Sequence, residues 1–127
     1  MKVSRKSFLA AALAGLVAGC VSYHTPPIDR RVTVAEDLGT AVWVTDVRCA
    51  KGASPYSTFQ ANVVNNTSHD LGVEWKVVWL DANGVVIDSL VSTWNKAMLA
   101  PKAIQALKGT APRSDAADML FYVRRLR

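Results

Sequence analysis

The sequence predicts an all-β domain, an antiparallel β-sandwich of about six or seven strands. Three observations carry that prediction. Apolar and polar residues alternate with period two in several short runs; turn signals separate the runs at sandwich-like spacings; and beyond residue 20 no segment sustains a helical apolar period. A chain of 127 residues suits one such domain and leaves little room for a second.

Taken in order, a first short strand is expected at residues 32–34, and residues 41–48, rich in Val, Thr and Trp, form the next. Residues 57–63 place Phe59, Ala61 and Val63 on one face and Thr58, Gln60 and Asn62 on the other. The clearest strand is 71–79, where Leu71, Val73, Trp75, Val77 and Trp79 share a face while Glu74 and Lys76 point the opposite way. Asp81-Ala82-Asn83-Gly84 is a type I turn with Gly84 in the left-handed position, so residues 80–87 form a hairpin and 85–91 return as its second strand. Met98-Leu99-Ala100-Pro101 reads as an irregular crossing between sheets. Residues 103–109 and 119–126 complete the set, and 114–118 have room for one helical turn.

The first nineteen residues have a different composition. Lys2, Arg5 and Lys6 precede twelve uncharged, mostly Ala and Leu residues, Phe8 to Gly19. Twelve residues make a helix of about 18 Å against a hydrocarbon core of about 30 Å, too short to span it, and this is the layout of a secretory signal. Leu16-Val17-Ala18-Gly19-Cys20 resembles a bacterial lipobox, with Leu16, Val17, Ala18 and Gly19 as the peptidase recognition segment and Cys20 as the thiol that takes the lipid. Ser4-Arg5-Lys6-Ser7-Phe8-Leu9 resembles a twin-arginine signal whose second Arg is Lys, so the ordinary secretory route is expected. Residues 1–19 are thus read as signal peptide, 20–37 as a lipidated tether stiffened by Pro26-Pro27, and 38–127 as the sandwich. Several acyl chains anchor stably where one does not. With Val21 rather than Asp after the lipidated residue, the expected address is the periplasmic face of the outer membrane.

This reading removes the case for nucleic acid. The formal charge of +5 includes three cations of the signal and none of the acids, so the mature chain carries +2. The two Cys become one lipid anchor and one lone thiol, Cys49 at the end of a strand, read as a partly buried small hydrophobe.

Trp79-Leu80-Asp81-Ala82-Asn83-Gly84, the later Trp94, Ala111-Pro112 and the closing Met119-Leu120-Phe121-Tyr122-Val123-Arg124 resemble the YcfL-like family of small bacterial envelope lipoproteins. The resemblance implies an immunoglobulin-like sandwich, no established activity, and a neighbourhood of lipoproteins that activate peptidoglycan synthases.

No catalytic constellation is legible. His24 falls in the tether, and His69 sits beside Asp70 in a turn after Asn65-Asn66-Thr67-Ser68, the weak basis of an enzyme reading that lacks a third group. No spacing of His or Cys fits a metal, and no phosphate loop or nucleophile elbow occurs, so neither metal nor cofactor is expected beyond the lipid on Cys20. Among the Trp residues, Trp75 and Trp79 belong to the core and the parity of Trp43 leaves it open. Trp94 is either a partly exposed contact or a plug at the end of the sandwich. Arg124, Arg125 and Arg127 form a basic terminus on which Arg124 and Arg125 face opposite sides; it is either a charged edge strand or a contact for an anionic partner. The expected role is a non-catalytic interaction module held at the membrane by acyl chains, with an envelope protein as partner. The alternative is a binder of a small molecule, glycan or lipid through Trp94.

Overall fold

The computed structural model describes residues 29–127, so the signal segment, Leu16 to Cys20 and His24 lie outside the described residues. Eight strands run in order: β1 (Val32–Val34), β2 (Val42–Lys51), β3 (Ser57–Asn65), β4 (Leu71–Leu80), β5 (Val86–Ile87), β6 (Asn95–Leu99), β7 (Ile104–Thr110) and β8 (Asp118–Arg125). A single 3-10 turn, Glu36–Leu38, separates β1 from β2. One sheet has the order β1-β8-β4, with β5 and β6 sharing the far edge of β4; the other has the order β2-β3-β7.

Alternation builds the core as expected. Phe59, Ala61 and Val63 on β3 are buried, as are Val73, Val77 and Trp79 on β4 and Met119, Phe121 and Val123 on β8. Trp75 completes the inward row of β4 and is partly buried. It meets Phe59 at 5.9 Å and Phe121 at 6.1 Å between ring centroids, and the two Phe rings lie 5.5 Å apart, so tilted aromatic pairs tie the sheets together.

Four features depart from the sequence reading. β1 pairs in parallel with β8, Val32 opposite Phe121, so the sandwich is not wholly antiparallel and β8 is not an edge strand. These two strands come from opposite ends of the described chain, so no direct connection constrains their relative direction. The same pairing makes residues N-terminal to Leu38 part of the sandwich. Arg31 reinforces it with Nε and Nη2 on the Asp29 carboxylate, Nη1 on Asp118 and Nη2 on the Val47 carbonyl.

Second, the return strand expected over 85–91 is only Val86–Ile87; the chain then leaves the β4 edge and rejoins it as β6, from Asn95 opposite Trp75 to Leu99 opposite Leu71. Met98 and Leu99 therefore end a strand, and the crossing to the second sheet is made by Ala100 to Ala103. Third, β2 is bulged. Pairing shifts between Thr45 and Arg48, with Asp46 at φ 53° and its carboxylate accepting from Asn62 Nδ2 at 3.1 Å. The extra residue reverses the parity, so Val42 and Val44 point inward before the bulge and Val47 and Cys49 after it.

Fourth, Asn65 is more than a turn residue. It closes β3 fully buried, and its Nδ2 donates to the carbonyls of His69, Leu99 and Ala100 while its Oδ1 accepts from Thr67 N and Oγ1. One amide thus satisfies the backbone where two loops meet. The turn at residues 81–84 forms as expected, with Asp81 Oδ1 accepting from the backbone N–H of Asn83 and Val85 and Gly84 at φ 79°.

Candidate functional site

The outward face of the larger sheet is built by the residues that alternate with its core. On β4 these are Gly72, Glu74, Lys76 and Val78; on β8, Leu120, Tyr122 and Arg124. Register places Arg124 and Lys96 on either side of Glu74, and Tyr122 beside Lys76. Trp94, immediately before β6, lies over this row. The Arg124 guanidinium carbon is 3.7 Å from its ring centroid and Lys76 Nζ is 4.7 Å from it, with Lys76 also 5.4 Å from the Tyr122 ring. A cation within about 6 Å of an indole face is held by the ring quadrupole, more firmly as water is excluded.

Glu74 organises the cluster from beneath. Although outward-facing it is only 7% exposed. Its Oε1 accepts from Arg124 Nε and from the backbone N–H of Arg127, both at 3.3 Å. Gly72 lets the C-terminus reach that position. Leu126 N–H donates to the Gly72 carbonyl at 3.0 Å, and a Cβ at Gly72 would lie 2.9 Å from Leu126 Cδ2. The carboxylate therefore fixes the guanidinium that stacks on Trp94, and the side chains of Lys96 and Arg127 remain exposed beside it. Lys76 on β4, Lys96 on β6 and Arg124 on β8, with Arg127 just past the end of β8, gather around one carboxylate.

Of the residues singled out in the sequence, Trp94, Arg124 and Arg127 are brought together. Arg125 is not, since it turns to the opposite side of β8 and donates to the Asp37 carbonyl at 3.1 Å. Trp94 is half-buried against the sheet face and does not plug an end of the sandwich. Sequence reasoning missed Lys76, Tyr122, Glu74 and Lys96. The parity of β4 and β8 placed the first three on outward faces, but the register that joins the strands was not legible.

The other candidates acquire definite surroundings. His69 and Asp70 are exposed; His69 Nδ1 lies 3.4 Å from Ser68 Oγ, and the His69 carbonyl, not its ring, is used by Asn65 and Thr67. No group of three His, Cys, Asp or Glu among the described residues is placed to hold a metal ion. Cys49 is half-buried, and burial, with the Asp118 charge adding to it, raises its thiol pKa. An open groove of about 570 Å³ lies at the end of the sandwich away from Asp29, bounded by Leu38, Trp43, Asn66 and Lys102. Lys102 spans its rim, with Nζ on the Asn66 carbonyl at 2.6 Å.

Comparison with known proteins adds kinship without an activity. No curated protein matches. A crystal structure of a DUF1425 family member from Shewanella sp. PV-4 superposes with a TM-score of 0.62 at 21% identity, covering 68% of this chain and 79% of the other. Campylobacter jejuni Cj0090 superposes with a TM-score of 0.66 at 20% identity, covering 77% of this chain and all of the other. Likeness at such identities shows the shared fold. The family model described as protein of unknown function, DUF1425, matches residues 29–125, from the Asp29 that anchors Arg31 to the end of β8, and the chain belongs to that family.

Proposed function

We propose that this protein is a lipid-anchored, non-catalytic interaction module of the bacterial cell envelope, allied to the YcfL-like lipoproteins, that docks an anionic surface of an envelope protein onto the outward face of its larger sheet. The observation that carries this reading is the Trp94 ring stacked by Arg124 and Lys76 over the buried Glu74. Trp and Arg anchors on a rigid, partly desolvated face are what protein recognition sites are made of. The excess of cations there favours an acidic partner, by steering encounter and by charge-assisted hydrogen bonds. The membrane half of the reading rests on the charged and apolar leader followed by Leu16-Val17-Ala18-Gly19-Cys20. The resemblance to lipoproteins found near peptidoglycan synthase activators makes that machinery the first place to seek the partner.

In-cell photocrosslinking from position 96 tests the docking reading. A discrete protein adduct is expected, lost in Arg124→Glu at unchanged folded yield; recovery of lipid alone overturns it. Palmitate labelling that survives Cys20→Ala overturns the anchor.

A second reading, small-ligand or glycan binding, is favoured by the groove beside Trp43 rather than by Trp94, whose ring already holds two cations. It predicts quenching of Trp fluorescence by muropeptides that Trp43→Ala abolishes and Trp94→Ala does not.

A further inference from the structure

We propose that the corner of the sandwich formed by residues 81–91 rests on the bilayer that holds the acylated Cys20, with Val85, Val86, Leu90 and Val91 as its lipid contacts. The inference relies on the lipid anchor of the preceding reading and adds an orientation to it.

Four large aliphatic side chains lie exposed within seven residues: Val85 at 59%, Val86 at 51%, Leu90 at 95% and Val91 at 53%. β5 contributes only two residues before the chain leaves the edge. Between Ile87, opposite Trp79, and Asn95, opposite Trp75, eight steps of chain cover four positions of β4, so Leu90 and Val91 are thrust outward. A tight turn shapes the excursion, with Ser89 Oγ accepting from Val91 N–H and the Ser89 carbonyl accepting from Ser92 N–H, both at 3.2 Å. An apolar tip presented on a short hydrogen-bonded loop has no core to join in the described fold.

The place where the described chain begins names the occupant. Asp29 enters beside Asp118, which Arg31 bridges to it; Asp118 pairs with Leu80, and Leu80 with Val86. The entry point and the hairpin are thus at one end of the sheet, three strand spacings or about 14 Å apart. Only eight residues separate Cys20 from Asp29, nine chain steps and a reach of about 32 Å even when fully extended. An anchored domain is therefore confined to the bilayer surface with this end towards it. A handful of aliphatic side chains partitions weakly alone, but a tether this short supplies the effective concentration that makes weak contact persist. Asp88, exposed between the apolar pairs, keeps the loop at the headgroup boundary rather than deeper. In this orientation the Trp94 face stands beside the membrane rather than against it, open to a partner.

Spin labels decide the matter. The full acylated chain, with Cys49→Ala and either Leu90→Cys or Ile104→Cys as the labelled site, is placed in phosphatidylethanolamine–phosphatidylglycerol vesicles. Ile104 is exposed and starts β7 at the far end of the other sheet, so it serves as the aqueous reference. The label at 90 is expected to collide preferentially with oxygen, and the label at 104 with an aqueous nickel chelate. Equal nickel access at both sites in protein that floats with the vesicles overturns the contact and leaves the anchor intact. Failure to float overturns the anchor and the orientation with it. Protection at 90 that fades as lipid is added at constant protein assigns the corner to a second copy of the chain and likewise overturns the proposal.

Discussion

The two faces of the larger sheet are made from the same two strands, alternate residue by alternate residue, and they obey different rules. Inward, Trp75, Val77 and Trp79 on β4 meet Met119, Phe121 and Val123 on β8, and shape alone decides what fits. Outward, Glu74 and Lys76 meet Arg124 and Tyr122, where charge, stacking and a buried carboxylate set the arrangement. The inner face holds the fold together and tolerates little change. Exposed charges contribute little to stability, which is why we propose that the outer face is arranged for recognition.

That contrast can be broken by substitution. Phe121→Ala removes the ring between Phe59 and Trp75 and should cost about 3–5 kcal/mol in urea unfolding. A loss of under about 1 kcal/mol would mean that the inner face is far less tightly packed than its burial indicates. Asn65→Ala tests a polar side chain that works like core. Three carbonyls lose their donor, and about 2–3 kcal/mol of destabilisation is expected. Asn65→Asp should do no better, since a carboxylate supplies no N–H.

On the outer face, Glu74→Ala should cost about 1–2 kcal/mol, by leaving Arg124 and the Arg127 N–H without their acceptor. Trp94→Ala should cost only about 0.5–1 kcal/mol while abolishing the crosslink from position 96. If Trp94→Ala unfolds the domain, the division between the faces fails.

The smallest effect is one of pH. The Arg31 hydrogen bond to Asp29, opposed in part by burial, holds that carboxyl below its ordinary value of 3.8. A lowered folded-state pKa means stability that is present above the unfolded value and is lost as pH falls through the folded one. Melting temperature should therefore drop more steeply below about pH 4 in the parent chain than in Arg31→Ala, which lacks the linkage. Equal slopes would remove Asp29 from the account of how β1 is held.

Part of this architecture is legible in the sequence. The alternation over 57–63 and 71–79 named the inward residues of β3 and β4, and Asp81-Ala82-Asn83-Gly84 named its turn, because side-chain period and turn chemistry act within a few residues. The same locality explains the failures. β2 reads as one simple strand, since nothing in its composition announces that Asp46 will take up an extra residue and turn Cys49 inward. Residues 85–91 look like a strand by propensity, yet only Val86 and Ile87 pair with β4, and five other positions of that edge go to β6.

The sequence by itself therefore determined the fold class and the inward rows of β3 and β4, and it carries the leader motif on which the proposed address rests, all written in patterns of local period and spacing. Tertiary structure alone decided that β8 lies inside its sheet between β1 and β4, and that residues 74, 76, 94, 122 and 124 converge on one face. Strand register joins residues distant in the chain, 50 positions apart in the pair Arg124 and Glu74. It is set by the packing of the whole sandwich, and no local pattern encodes it.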